Sequence, residues 1–347
     1  MLGYNNSIAI SYRIITLYYS YIRENQKKNK MRIGILQVDG KIPNLALMQI
    51  ASYHENKGDQ VEEWVGGLWN SVYDKVYASK IFDFSNLPLL PDDAIIGGTG
   101  IDFYNTLPKK ISSQTPSYSL YPECDYHIGF SMKGCRFNCA FCCVPKKEGR
   151  PKHNSNIDDL LVNPNGGDRL MLLDNDFFGS PKWEEDIKRI IELKLKICFV
   201  QGLNIRILTQ NQADLLAQTK FYNSKFSSRY VTFAWDRIND EKLIKKGIET
   251  CLNAGIKGSQ MQFFVLIGYD TTPEEDYYRV MMLWEEYGAL PFVMPYNKKD
   301  LYQKKFARWV NHRAIFKSVQ WKYYKTPKKI YTKKGILENM IPIGDYR

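Results

Sequence analysis

The stretch "RLMLLDNDFFGSPKWEEDIKRIIELK", residues 169–194, lays out the architecture of the chain in one unit. An apolar run between Arg169 and Asp174 reads as a buried strand. A polar loop follows, and Ser180 then Pro181 opens a helix whose Ile187, Ile190 and Ile191 recur at helical spacing. A strand leading through a helix to the next strand is the building block of a parallel sheet.

Moving outward, the same alternation recurs. Strands are predicted at "YHIGFSM", "ICFVQG", "RYVTFAW", "MQFFVLIG" and "LPFVMP". Helices are predicted at "IDDLLVN", "TQNQADLLAQT", "NDEKLIKKGIETCLNAG" and "TPEEDYYRVMMLWEEYG", the last opened by Thr272, Pro273, Glu274 and Glu275. About six βα units therefore fill residues 120–297, and a closed eight-unit barrel needs more chain. The expected fold class is α/β, an incomplete (β/α)6 parallel barrel.

Upstream, "RIGILQV", the helical "NLALMQIASYHENKG" stopped at Gly58, and the short runs "DQVEEW", "KVYAS" and "DDAIIGGTG" predict a small Rossmann-like α/β domain over residues 31–115. Residues 112–122, "SSQTPSYSLYP", read as a linker.

Length and composition agree with this plan. The 347 residues, 44% of them hydrophobic, suit about two domains. Residues 1–30 stand apart as an extension, read either as a disordered appendage or as a surface helix: the apolar run at 8–22 is interrupted by Arg13 and is short of the roughly 20 residues of a membrane span. It lacks the charged start and small-residue cleavage site of a signal peptide, so the expectation is a cytoplasmic protein with no membrane partner. The net charge of +11 is local: residues 298–347 hold 14 Lys/Arg against 3 Asp/Glu, and the rest of the chain is balanced.

Seven cysteines, clustered and odd in number, are unlike a secreted disulfide framework. Four of them fall within "GCRFNCAFCCVP", residues 134–145, just after the first barrel strand. Cys135, Cys139 and Cys142 form C-x3-C-x2-C, and soft thiolates on a turn suit an iron–sulfur cluster or zinc. Three thiolates leave one iron of a four-iron cluster to a non-protein ligand. Zinc needs a fourth donor from Cys124, Cys143, His127 or His153, but no second C-x2-C pair exists. Cys143 is read as a non-ligand, and Cys198 and Cys251 as core.

"CRFNCAFC" resembles the cluster loop of the radical S-adenosylmethionine (SAM) superfamily, including the aromatic Phe141 just before the last cysteine. The βα series after it is similar to that family's partial barrel. The resemblance implies a [4Fe-4S] cluster on Cys135, Cys139 and Cys142, with SAM on its fourth iron. It further implies reductive cleavage of SAM to methionine and a 5′-deoxyadenosyl radical, fed by an external electron donor of flavodoxin or ferredoxin type. It places groups for the SAM ammonium at Asp174, Asn175 and Asp176, although "LLDNDFFG" departs from the Gly-Gly-Glu form and also reads as a helix-capping loop.

At the next strand ends, Gln201, Asn204 and Arg206 are candidates for SAM or substrate, and Asp236 with Arg237 reads as ligands or as a rim ion pair. Gly268, ending "VLIG", and Met294 with Pro295 are candidates to flank adenine, against a reading as plain strand core. The first domain resembles the cobalamin-binding-like domain of one radical SAM subgroup, yet "QVDGKIPN" lacks that domain's Asp-x-His-x-x-Gly. No cobalamin is therefore expected, and His54 reads as a surface helix residue.

The basic segment 298–347 interleaves Lys and Arg with Trp309, Trp321, Tyr323 and Tyr324. That composition admits a nucleic-acid surface as well as a helical cap. Two classes of function follow from the sequence: a radical enzyme, and a metal-stabilised nucleic-acid-binding module without turnover.

Overall fold

The computed structural model describes residues 30–66, 72–325, 329–332 and 335–338, the last two as backbone alone. The expected extension over residues 1–30 thus lies, except for Lys30, outside the described residues. The chain is mixed α/β with parallel sheets, and it divides into two compact units.

The first unit comprises Met1–Gly129, Cys143–Gly149 and Asp158–Leu170. Strands β1 (Arg32–Gln37), β2 (Gln60–Glu63), β3 (Lys75–Ser79) and β4 (Ile95–Gly97) form a parallel sheet in the order β2-β1-β3-β4. Helix α1 (Leu45–Glu55) crosses from β1 to β2 and buries Leu47, Ile50 and Ala51 against Ile33, Ile35 and Tyr77. Its start is set by Asn44, whose Oδ1 accepts from Ala46 N and Leu47 N while its Nδ2 donates to Ser79 Oγ at 2.8 Å.

In this order the strands are added to one side of β1 and then to the other, and the switch between β1 and β3 is the usual ligand crevice of an open parallel sheet. Here Asp39 spans that place, accepting from Ile81 N at 2.7 Å and Phe82 N at 2.9 Å. His54, read from the sequence as a surface residue, is 2% exposed. Its ring lies 2.6 Å from Asp59 Oδ2 through Nδ1 and 3.1 Å from Tyr77 OH through Nε2, and these two partners make the burial tolerable. Residues 112–122 are stitched into this unit rather than running free. Tyr121 OH donates to Gln37 Oε1 at 2.8 Å, and Ile128 N donates to Tyr118 OH at 3.0 Å.

The second unit comprises Phe130–Cys142, Arg150–Ile157 and Met171–Arg347. Strands β6 (Arg169–Leu172), β7 (Lys196–Phe199) and β8 (Lys220–Phe221) belong to the sheet of order β8-β7-β6-β5, whose strand β5 (His127–Gly129) is assigned to the first unit. The boundary between the units runs through β6. Strands β9 (Val231–Ala234), β10 (Met261–Ile267) and β11 (Leu290–Pro295) form a parallel sheet, and a parallel bridge pairs Leu203, beyond β7, with Phe233.

Helices α2 (Trp183–Glu192), α3 (Gln210–Gln218), α4 (Glu241–Asn253) and α5 (Pro273–Glu285) alternate with the strands, as the periodicity predicts. Capping boxes at Thr209/Gln212 and Thr272/Glu275 start α3 and α5. Cys198 and Cys251 are core, and burial drives both thiols up to about 12.

The β9-β10-β11 sheet has two unlike faces. Phe233, Phe263, Val265, Ile267 and Val293 are sealed. The register places Ala234 beside Phe264, Phe264 beside Phe292, and Leu266 beside Met294 on the other face, where Phe292 and Met294 are exposed. That face is apolar and open.

Beyond β11, α6 (Leu301–Asn311) and α7 (Arg313–Ser318) carry the start of the basic segment. Trp309 and Tyr324 are buried, and Trp321 packs on Phe306 and Trp309 at ring distances of 5.1 and 5.4 Å. Trp309, Tyr324 and Trp321 thus pack in a helical core, while Tyr323 is exposed. Residues 326–328, 333–334 and 339–347 of this segment lie outside the described residues. No helix among the described residues is long and apolar enough to cross a membrane.

Candidate functional site

The cysteine loop leaves a two-stranded antiparallel ribbon, Met132–Lys133 against Lys152–His153, and turns at Gly134 with φ of 89°. A side chain is strained at that φ, so glycine is the residue that starts the turn. Cys135, Cys139 and Cys142 are half-buried and none is in a disulfide. Burial pushes the Cys135 thiol up, a hydrogen bond from Phe137 N works against it, and the charge of Asp176 and the Cys142 and Cys139 thiols add to the rise, so both other sulfurs lie within electrostatic reach of Cys135. Among the described residues, however, no three His, Cys, Asp or Glu side chains are gathered closely enough to hold a metal ion as they stand.

Two buried carboxylates from the end of β6 hold this loop. Asp174 Oδ1 accepts from Ser131 N at 2.8 Å and Met132 N at 3.3 Å, and its Oδ2 accepts from Ser131 Oγ at 2.5 Å. Burial pushes its carboxyl up to about 7. Asp176 takes the Arg136 fork, Nε at 2.7 Å and Nη2 at 2.8 Å, as well as Arg136 N at 3.0 Å. The resemblance offered both aspartates to the SAM ammonium. In the structure both hold the backbone and arginine of the loop, and Asn175, between them, is half-buried.

Other strand ends converge on the same loop. Arg206, after β7, lies over the Phe137 ring at 4.4 Å and pairs with Asp240 at 3.0 Å. Asn204 caps the turn that carries Arg206, accepting from Arg206 N at 3.2 Å, while Gln201 is exposed. Phe141 meets Tyr269, after β10, edge-on at 5.3 Å, and Tyr269 meets Tyr296, after β11, at 4.9 Å.

Asp236 and Arg237 do not form the rim ion pair offered by the sequence: Arg237 reaches Asp270 at 3.7 Å. Burial drives the Asp236 carboxyl up to about 6, moderated by the charges of Arg206 and Arg279. Gly268 has φ of 71°, and a Cβ there would stand 2.0 Å from Gln303 Nε2. Its close neighbour is therefore a side chain of the same protein. Met294 is exposed on the open sheet face.

Of the alternative zinc donors, His127 and Cys124 are engaged elsewhere, whereas His153 Nδ1 is buried without a hydrogen-bond partner. His127 Nδ1 accepts from Asn163 N at 3.0 Å and its Nε2 lies 3.3 Å from Gly167 O, while Cys124 Sγ donates to Tyr126 O. Sequence reasoning missed Ser131, Arg136, Phe137 and Tyr269. Arg136 and Phe137 stood inside the motif as spacer residues, and only their placement between cysteines drew attention to them.

No protein-family model, curated protein or solved structure matches this chain. Its functional reading therefore rests on its own residues.

Proposed function

We propose that this chain is a radical SAM enzyme whose βα series forms an incomplete (β/α)6 parallel barrel around an active site at the strand ends. The observation that carries the proposal is the convergence of residues after four strands (Asp174 and Asp176, Arg206, Tyr269 and Tyr296) on or beside one loop bearing three cysteines outside any disulfide. Ligands of parallel barrels bind at that end.

The donor set fits the group. Three soft sulfurs on one turn, none of them in a disulfide and two of them within electrostatic reach of Cys135, suit an iron–sulfur cluster. Cys135, Cys139 and Cys142 are assigned to hold it, with SAM at the iron they leave unligated. When bound, the pair supplies one-electron cleavage of the S–C5′ bond to methionine and a 5′-deoxyadenosyl radical.

The chain's own residues do the rest. Asp174 and Asp176 fix the two flanks of the loop. Arg206 and Phe137 brace its middle, and their cation–π contact costs the arginine little hydration because Asp240 shares its charge. Gln201, Asp236 and Met294 are the strand-end residues assigned to cofactor or substrate. The Asp236 carboxyl, titrating near 6, holds or releases a proton near neutral pH. Phe264, Leu266, Phe292 and Met294 present an open apolar surface on which a cofactor or substrate packs.

The test is anaerobic reconstitution with iron and sulfide, followed by dithionite and SAM. Wild type is expected to turn brown and to release 5′-deoxyadenosine, and Cys139→Ala to do neither. SAM cleavage surviving that substitution refutes the assignment.

A further inference from the structure

Parallel sheets are ordinarily covered by the helices of their own crossovers. In the first unit α1 does this between β1 and β2, but the connection from β3 to β4, residues 80–94, forms no helix. It brings no apolar helix face to lie on the strands, and its own apolar side chains stand in solvent with those just after β4. Ile81, Leu89, Ile95, Ile101, Phe103 and Tyr104 are all exposed, Leu89 by 88%. The runs before and after β4 are held together, Gly100 N donating to Lys80 O at 3.0 Å and Lys80 N to Gly97 O at 2.9 Å. An exposed apolar surface drawn from so many residues marks a docking site.

The charge of this face narrows its occupant. Residues 81–104 contain Asp83, Asp92, Asp93 and Asp102 and no Lys, Arg or Glu. All four aspartates are exposed, and none forms an ion pair among the described residues. A second copy of the same face, an anionic membrane and a nucleic acid are each repelled by them. The chemistry that fits is a segment apolar along its length and bearing cations.

The chain holds such a segment outside the described residues. Residues 1–29 carry four Lys/Arg against one acid, and the run 8–22 is apolar and aromatic apart from Arg13 and three hydroxyl residues. The segment leads into β1, which lies two strands from β4, a separation of about 10 Å. Residues 23–29 reach up to about 25 Å when extended, so the tether is long enough. Tethering also holds the run at an effective concentration on the order of millimolar.

We propose that the apolar run 8–22 docks on the face formed by residues 81–104, with the cations of the segment set against the four aspartates. The chain thereby supplies from its own N-terminal segment the cover that the β3–β4 crossover lacks.

The experiment uses the full chain with the photo-crosslinking residue p-benzoylphenylalanine placed at Leu89. Mass spectrometry maps the products, and a mixture of nitrogen-15-labelled and unlabelled protein separates links within one chain from links between two. The expected product joins position 89 to residues 8–22 of the same chain. The same probe at Tyr104, also exposed, gives an independent reading. Ile14→Glu with Leu17→Glu puts charge into the apolar run. It is expected to lower the yield at least about fivefold and to raise the fluorescence of the apolar dye anilinonaphthalenesulfonate at least about twofold. Asp92→Lys with Asp93→Lys is expected to lower the yield at least about threefold in low salt, and the wild-type yield is expected to fall as salt is added. Links from both probes to residues 67–71 or 326–347, links between two chains, or no link to residues 1–29 overturn the proposal. An undiminished yield in both charge variants does the same.

Discussion

Asp176→Asn is the substitution that tests most directly how the cysteine loop is held. In the wild type, Asp176 is buried and accepts three hydrogen bonds from Arg136, two from the guanidinium and one from the backbone. Hydrogen bonds to a charged group contribute about 1.5–3 kcal/mol each in favourable cases. Arg136 is about one-third exposed, so water recovers part of its solvation and the full sum does not apply. Asparagine keeps an acceptor for one donor and turns an amide toward the other. The expected net loss is about 2–3 kcal/mol, confined to the loop, which is roughly a 30–150-fold larger opening constant.

Cys135 reports this opening directly. Its thiol is held up by burial, so opening both exposes it and makes its reactive thiolate more abundant. The assay is alkylation of the metal-free protein under native conditions, with the rate at each cysteine followed by mass spectrometry. The Cys135 rate is expected to rise by that factor, while the core residues Cys198 and Cys251 stay protected and show the rest of the fold intact. An unchanged Cys135 rate, or equal acceleration at all three residues, refutes the view that Asp176 holds the loop as a local clamp.

Three further outcomes follow from buried groups. Asp186 is buried with Oδ2 unpartnered, and burial raises its carboxyl to about 6. A raised folded-state pKa means that stability falls as pH rises from about 4 to about 6 and is constantly lowered above that. Asp186→Asn is therefore expected to gain about 1–2 kcal/mol above pH 6 and nothing below pH 4, read by urea denaturation across that range. Arg279 and Asp276 form a fully buried pair at 2.7 Å, with Arg279 also donating to Trp235 O and Leu266 O. Arg279→Met alone is expected to cost about 3–5 kcal/mol, and Arg279→Met with Asp276→Leu distinctly less, as read by thermal melts. Gly268→Ala meets both a positive φ and the Gln303 amide, and is expected to lose about 1–3 kcal/mol in the same melts. Adding Gln303→Ala should recover only the part due to the contact, because the φ strain remains.

Much of the local structure was legible in the sequence because it is written in short-range terms. Apolar runs, helical periodicity and the Thr272–Pro273–Glu275 start act within a few residues, and the strands and helices they predict are present. The closure of those strands into a partial barrel, and the cluster the three cysteines would hold, remain proposals, since both depend on distances the sequence does not contain. His54 shows why surface and core are harder to read. A histidine in an amphipathic helix looks solvent-facing until a carboxylate five residues away and a tyrosine 23 residues away satisfy both its nitrogens.

The sequence by itself determined the alternating α/β plan and the spacing of Cys135, Cys139 and Cys142, because local propensity and covalent spacing need no distant partner. Only the tertiary structure decided what each polar side chain serves. Asp174 and Asp176 stand about 40 residues from the groups they hold, and their sequence neighbourhood fits a helix cap as well as a cofactor contact. A buried carboxylate goes to whichever donors the fold delivers to it, and here those donors belong to the cysteine loop.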